Sequence, residues 1–307
     1  MSPVVEVTSR LSLANLDNWE RLIRWGIYQA TANHRPSRWK FWRRATPLPT
    51  WIDLCSGDGF LRERALRTLS GAAPNSFFFA VAVRRLNDWV PQVRVAAREQ
   101  LPSMALATKP EYVVDVLCSV LPHWVSWGRM ETETKQALLE ISSIEAVALS
   151  LKSILLAGTT GPLASIFCQV GQSSGLDAHL PEIARSAIQP SVRAKAYKFL
   201  LEGKVVWLAE RKWEWTDIRY CKGHFKPVFG ERPLSVSIPL EMTMRAASLD
   251  RSSLVRRVAA DILIRNHEII GPTAVQLATA LASDPHPSVA EKGSFALKKL
   301  TQAASLS

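Results

Sequence analysis

Apolar residues recur along this chain at three- and four-residue spacing, the signature of helices that bury one stripe. Between the stripes lie short turns rich in Asp, Pro and Ser. One pattern repeats: a turn, an apolar residue often followed by Arg, a small residue two or three places on, then an apolar face ending in Leu. It runs from Asp58 through Leu61, Arg62 and Ala65 to Leu69, and from Asp88 through Val93, Arg94, Ala96 and Ala97 to Leu101. It returns from Gln189 through Val192, Arg193 and Ala196 to Leu200, and from Asp250 through Val255, Arg256, Ala259 and Ala260 to Leu263. A last instance runs from Asp284 through Val289 and Ala290 to Leu300. The anchors at 61, 93, 192, 255 and 289 give two intervals of 32 and 34 residues, and the interval of 99 is close to three such units. The interval of 63 equals one unit plus an insertion of about one more. A period in the low thirties predicts one pair of helices per repeat.

An apolar segment precedes several of the turns, as at Phe77–Leu86, Leu176–Ile188 and Pro239–Leu249. Asp or Ser caps the second helix, with Pro sometimes in its first turn. The small residues let two helices approach closely, and one such pair cannot bury both faces without neighbours.

The segments DWVPQVRVAAREQL, QPSVRAKAYKFL, DRSSLVRRVAADIL and DPHPSVAEKGSFAL resemble HEAT repeats, in particular the short bacterial class. The resemblance covers about two thirds of the chain, over residues 50–102 and 176–300. It implies an all-α fold, an α-solenoid of HEAT-like helix-turn-helix repeats whose second helices line a concave face. It does not imply one activity, because such arrays serve as scaffolds, as partner-recognition surfaces and, in one branch, as DNA glycosylases for alkylated bases. That branch uses an Asp with Trp and Arg on the concave face, and its catalytic set is not placed on particular residues here.

Two regions depart from the repeat. Residues 1–49 form an N-terminal part, with an amphipathic helix expected at Leu16–Ala30 and a basic aromatic segment after it. Residues 50–307 form the repeat array, with an insertion at about 205–238. In that insertion the stretch from Trp213 to Cys221 is rich in aromatic and β-branched residues, and Lys222-Gly223 and Phe229-Gly230 are turn signals. A small β-hairpin or ordered loop is expected there.

The chain of 307 residues carries a net charge of +11, which favours acidic partners: nucleic acid, anionic surfaces or acidic proteins. Residues 1–50 hold eight Lys/Arg against three Asp/Glu, whereas residues 101–150 hold three against six. Arg35, Arg38, Trp39, Lys40, Trp42, Arg43 and Arg44 form a candidate binding segment, since cations neutralise phosphates and rings stack on bases. The same residues would equally cap the end of the array. In the insertion, Trp213, Trp215 and Arg219 suit protein recognition, because the acids there offset most of the basic charge; alternatively the rings pack back on the helices. The recurrent Arg62, Arg94, Arg193 and Arg256 are either a basic ladder for a ligand or structural contacts between repeats.

Enzyme motifs are weak. Trp51–Phe60 imitates the glycine-rich loop of S-adenosylmethionine methyltransferases, but Arg84 stands where the ribose-binding acid would be needed. Cys221 and His224 alone are not a metal site, and no cofactor is expected. The cysteines at 55, 118, 168 and 221 are scattered, which suits reduced thiols and a cytoplasmic protein, and no secretory signal or membrane span is read. The expectation is a binding scaffold, not an enzyme, whose partner is another protein. Nucleic-acid binding is the alternative, and alkylated-base excision a more distant one.

Overall fold

A computed structural model of the chain describes residues 3–32, 48–270 and 273–304. They form fifteen α-helices and one two-stranded antiparallel sheet. The chain divides into two compact units, Met1–Ser150 and Leu151–Ser307.

The first unit holds α1 (Pro3–Ser9), α2 (Leu16–Ala32), α3 (Gly59–Thr68), α4 (Ser76–Arg84), α5 (Pro91–Ala107), α6 (Pro110–Val120) and α7 (Thr132–Ser143). Helix α8 (Glu145–Ala157) runs across the division. Starts of these helices follow from local chemistry. The Asp58 carboxylate accepts the Phe60 N–H at 2.9 Å, the Asn75 side chain accepts the Phe78 N–H at 3.1 Å, and Pro91 and Pro110 open α5 and α6. Helix α3 packs on α5 and α5 on α7, while α4 packs on α6. Helix α4 is apolar all round, and every residue from Phe77 to Val83 is buried. Ala65, Ala96 and Ala97 are fully buried where the α3 and α5 stripes meet the core.

The second unit holds α9 (Leu163–Val170), α10 (Leu180–Ser186), α11 (Pro190–Glu202), β1 (Lys204–Asp217), β2 (Lys222–Pro233), α12 (Leu240–Ser248), α13 (Ser253–Ile270), α14 (Thr273–Ala282) and α15 (Pro287–Ala304). Sequence neighbours pair as α10 on α11, α12 on α13 and α14 on α15, and the second members stack as α11, α13, α15. The approach of α14 to α15 is close enough to require glycine: a Cβ at Gly293 would lie 2.3 Å from the backbone of Leu281 and Ala282.

The hairpin emerges from α11 through Gly203, which has a left-handed φ of 67°. Its register runs from Lys204 opposite Pro233 to Asp217 opposite Lys222, with irregularities between Leu208 and Glu210 and between Trp215 and Asp217. The turn lies at 218–221, closed by the Cys221 N–H on the Ile218 carbonyl at 3.2 Å. Cys221 itself takes the left-handed conformation, φ 51°. The two glycine signals expected to mark turns instead lie within β2. A Cβ at Gly223 would meet the Trp213 ring at 2.6 Å, and one at Gly230 would meet Trp207 at the same distance. Each glycine makes room for an indole laid across the strand.

Two stretches with a strand-like or nucleotide-loop look are helical. Trp51–Cys55 is a 3-10 turn closed by the reciprocal Thr50–Asp53 cap, and Phe77–Val83 is the body of α4. The methyltransferase imitation thus lacks both of the strands its mechanism would need.

Candidate functional site

The four recurrent arginines share one geometry. Nη1 of Arg62, Arg94, Arg193 and Arg256 donates to the carbonyl six residues earlier: Ser56 (2.8 Å), Asp88 (3.0 Å), Ala187 (2.8 Å) and Asp250 (2.9 Å). Three of them close a two-pronged bond on an aspartate farther along the chain. Arg62 grips Asp88 at 2.9 and 2.8 Å, Arg193 grips Asp250 at 2.9 and 3.0 Å, and Arg256 grips Asp284 at 2.5 and 2.8 Å. Arg94 reaches Glu131 at 3.0 Å, beside Arg98 at 2.5 Å. Each aspartate also accepts the N–H two residues on, from Val90, Ser252 and His286. Asp88 and Asp250 are therefore held twice, by a preceding arginine on the carboxylate and by their own arginine on the carbonyl.

The side chains of Arg62 and Asp88 are both only 1% exposed. A buried charge is tolerated when paired and hydrogen-bonded, and this fork–fork arrangement meets both conditions. Asp88 also accepts from Arg85 at 2.9 Å, and Arg85 in turn pairs with the buried Glu20 of α2 at 2.7 Å. Burial alone would raise the Asp88 carboxyl. The hydrogen bonds from Arg62 and the Val90 N–H, with the charges of Arg85 and Arg62, outweigh it and hold the group below the usual carboxylate range. At Asp284 the bond from Arg256 is the main cause of the same downward shift.

Asp88 is followed by Trp89, whose exposed ring lies 5.9 Å from the Arg62 guanidinium. Such an Asp–Trp–Arg cluster has the composition of a base-excision site. Both oxygens of Asp88 are nevertheless occupied by Arg62, Arg85 and the Val90 N–H, and the residue is buried. The carboxylate is committed to holding a turn.

The basic aromatic segment containing Arg35, Arg38, Trp39, Lys40, Trp42, Arg43 and Arg44 lies outside the described residues.

The hairpin is built differently from the rest of the surface. A two-stranded sheet is marginal in water without further packing, and its base supplies that packing. Val205 is buried, and the Leu208 carbonyl accepts the Gln169 amide at 3.1 Å. Arg232 forks onto Asp177 at 2.8 and 2.6 Å while also donating to the Gly171 and Ser173 carbonyls. Beyond Leu208 the two faces of the hairpin diverge. One carries Glu210, Lys212, Glu214 and Lys226, paired as Glu210–Lys212 at 3.0 Å and Glu214–Lys226 at 3.1 Å. Those pairs offset the placing of Lys212 directly opposite Lys226. The other carries Arg211, Trp213, Trp215 and Phe225. Trp213 meets Phe225 edge-on at 5.0 Å and Trp215 at 5.5 Å.

Trp213, Trp215 and Phe225 remain 43%, 51% and 61% exposed. Aromatic rings cluster to staple a hairpin, and Trp213 over Gly223 does so. Trp215 and Phe225 keep half or more of their surface open to solvent. Arg219, in the turn, points to solvent and lies 3.7 Å from Asp217. The structure thus brings Trp213 and Trp215 together on one face, with Arg219 at the hairpin's end.

Three residues with a part in this arrangement escaped the sequence reading. Asp177, the carboxylate that seats Arg232, carries no local motif. Lys195 and Lys198 occupy the face of α11 turned to the hairpin base; their three-residue spacing was the only available signal.

Among the described residues no group of three His, Cys, Asp or Glu could hold a metal, and no helix is long and apolar enough to cross a membrane. All four cysteines are unpaired. Burial pushes the Cys55 thiol up to about 12 and that of Cys118 up to about 11. No protein-family model, curated protein or solved structure matches the chain.

Proposed function

We propose that this chain is a HEAT-like α-solenoid that acts as a binding scaffold for another protein, with the outer half of the hairpin as its recognition surface. The observation that carries this reading is the division of the hairpin into a charge-paired face and an exposed face of Arg211, Trp213, Trp215 and Phe225. Trp, Tyr and Arg dominate the energetics of protein interfaces, and clustered rings with an arginine at the edge are the usual centre of one. A phosphate track would need unpaired cations in series, whereas the lysines on the opposite face are matched by glutamates. The stacking of α3, α5, α7 and of α11, α13, α15 supports the repeat architecture, as does the recurrence of the arginine–aspartate rung. Unpaired cysteines support a reducing, cytoplasmic setting.

The test is photo-crosslinking in cells, with the reactive amino acid placed at Trp215 in one variant and at Lys226 in another. Protein adducts from position 215 and none from 226 are expected. Adducts that disappear on nuclease treatment would transfer the site to nucleic acid, and silence at 215 would remove the hairpin as a recognition surface.

A further inference from the structure

At the foot of the hairpin, α9, α11 and the strands enclose a cleft of about 490 Å³. Its walls are Phe199, Trp207, Leu208 and Phe229, and Lys195 and Lys198 stand among them on α11. No carboxylate is among the side chains that line it. Among the described residues Lys195 has no carboxylate partner, and Lys198 has only Glu202, at a long 3.9 Å. Both ammoniums act on the cleft: burial pushes the Cys168 thiol up, and the charges of Lys195 and Lys198 pull against that rise. The amide of Gln169, the other long polar group here, donates to the Leu208 carbonyl and accepts from Gln172.

The volume matches that of a pocket for one or two side chains. Its chemistry is an apolar wall with two cations and little capacity to read hydrogen-bonding edges. A carboxylate beside an aliphatic or aromatic side chain satisfies both features at once. A continuous polyanion does not fit as well. A phosphate backbone would engage the two cations and leave the apolar wall of Phe199, Trp207, Leu208 and Phe229 uncovered.

We infer that this cleft receives a short acidic segment of a partner protein, seating an apolar side chain against Trp207 and Phe229 and a neighbouring carboxylate on Lys195 and Lys198. This rests on the reading of the chain as a protein-binding scaffold and names the chemistry of what it binds. Its contacts are separate from the aromatic face at Trp213, Trp215 and Phe225.

The experiment is fluorescence anisotropy on the full chain with labelled, end-blocked peptides. The probe Glu-Glu-Leu-Phe-Glu-Glu is compared with Gln-Gln-Leu-Phe-Gln-Gln, with Glu-Glu-Ser-Ser-Glu-Glu and with a labelled oligothymidylate. The acidic apolar peptide is expected to bind about tenfold or more tightly than either peptide control, with affinity falling as salt rises. The double variant Lys195→Glu/Lys198→Glu is expected to lose that binding by about tenfold or more, and Lys195→Arg/Lys198→Arg to retain it. Both lysines are on the helix surface, and equal melting temperatures for the variants and the parent would exclude misfolding as the cause. Equal binding of all three peptides, or acidic-peptide binding untouched by the glutamate variant, would overturn the inference. If crosslinking at Trp215 still captured a protein, the scaffold reading would survive that failure. Tight binding of the oligonucleotide, lost in the same variant, would overturn both.

Discussion

At the scale of single residues, a few buried charges hold the turns between helices. Asp88 satisfies Arg62, Arg85 and the Val90 N–H from a site with almost no solvent. Replacing one member of a buried pair strands the rest, so Asp88→Asn is expected to cost about 3–5 kcal/mol in urea unfolding. Asp284→Asn should cost less, since Asp284 serves one arginine. The direction with pH follows from the same groups. Asp88, Asp177 and Asp284 have native carboxyls held below the ordinary value. The stability they contribute is complete above the unfolded pKa of about 4 and is lost as pH falls through the lower native values. The urea midpoint should therefore be flat from pH 7 to about 5 and drop below about 4, and the drop should be shallower in Asp284→Asn. The arginines were legible as a recurrent feature of the sequence, with a structural role among the two open to them. Their partners were not, because Arg193 and Asp250 are separated by the whole hairpin. A better signal was present: Asp88/Arg94 and Asp250/Arg256 repeat an Asp six residues before an Arg.

At the scale of elements, helices were easier to foresee than the hairpin. Capping residues and small-residue stripes announce α3, α5, α11, α13 and α15, and α2 begins at the expected Leu16. The hairpin was expected from its aromatic and β-branched content, but its turn was misplaced. Glycine usually marks a turn because it alone takes a left-handed conformation without strain. Here the turn uses Cys221 for that, and the glycines sit under indole rings, a long-range reason that no local pattern carries. The cleft was equally hidden, since it gathers residues from α9, α11 and both strands. Anchoring the hairpin falls to the Arg232 fork. Arg232→Lys keeps the charge but not the planar geometry, at a cost of about 2 kcal/mol. Hydrogen exchange should then quicken across 204–233, with the amides of α13 and α15 unchanged.

At the scale of the whole molecule, two runs of rungs stand out, each within one compact unit. One starts at Arg62 and ends at Glu131; the other starts at Arg193 and ends at Asp284. Each starting arginine lacks an aspartate six residues before it, and each terminal acid lacks an arginine six residues after it: Ala137 and Ala290 stand there. A unit that contains its own ladder and core should fold by itself. A fragment starting at Glu145, which keeps α8 intact, is therefore expected to melt cooperatively by circular dichroism, and one starting at Gly158 to melt at lower temperature. The latter loses the Leu156 carbonyl that accepts the Ile188 N–H. The cysteines add a practical property. Cys55, Cys118 and Cys168 hold their protons well above neutral pH and so react slowly with maleimide, whereas Cys221 is exposed. Limiting maleimide at neutral pH should attach one label per chain, read by mass spectrometry. The unaltered protein thus comes with its own reporter position at the tip of the hairpin, from which a dye could register occupancy of the neighbouring rings without a single engineered residue.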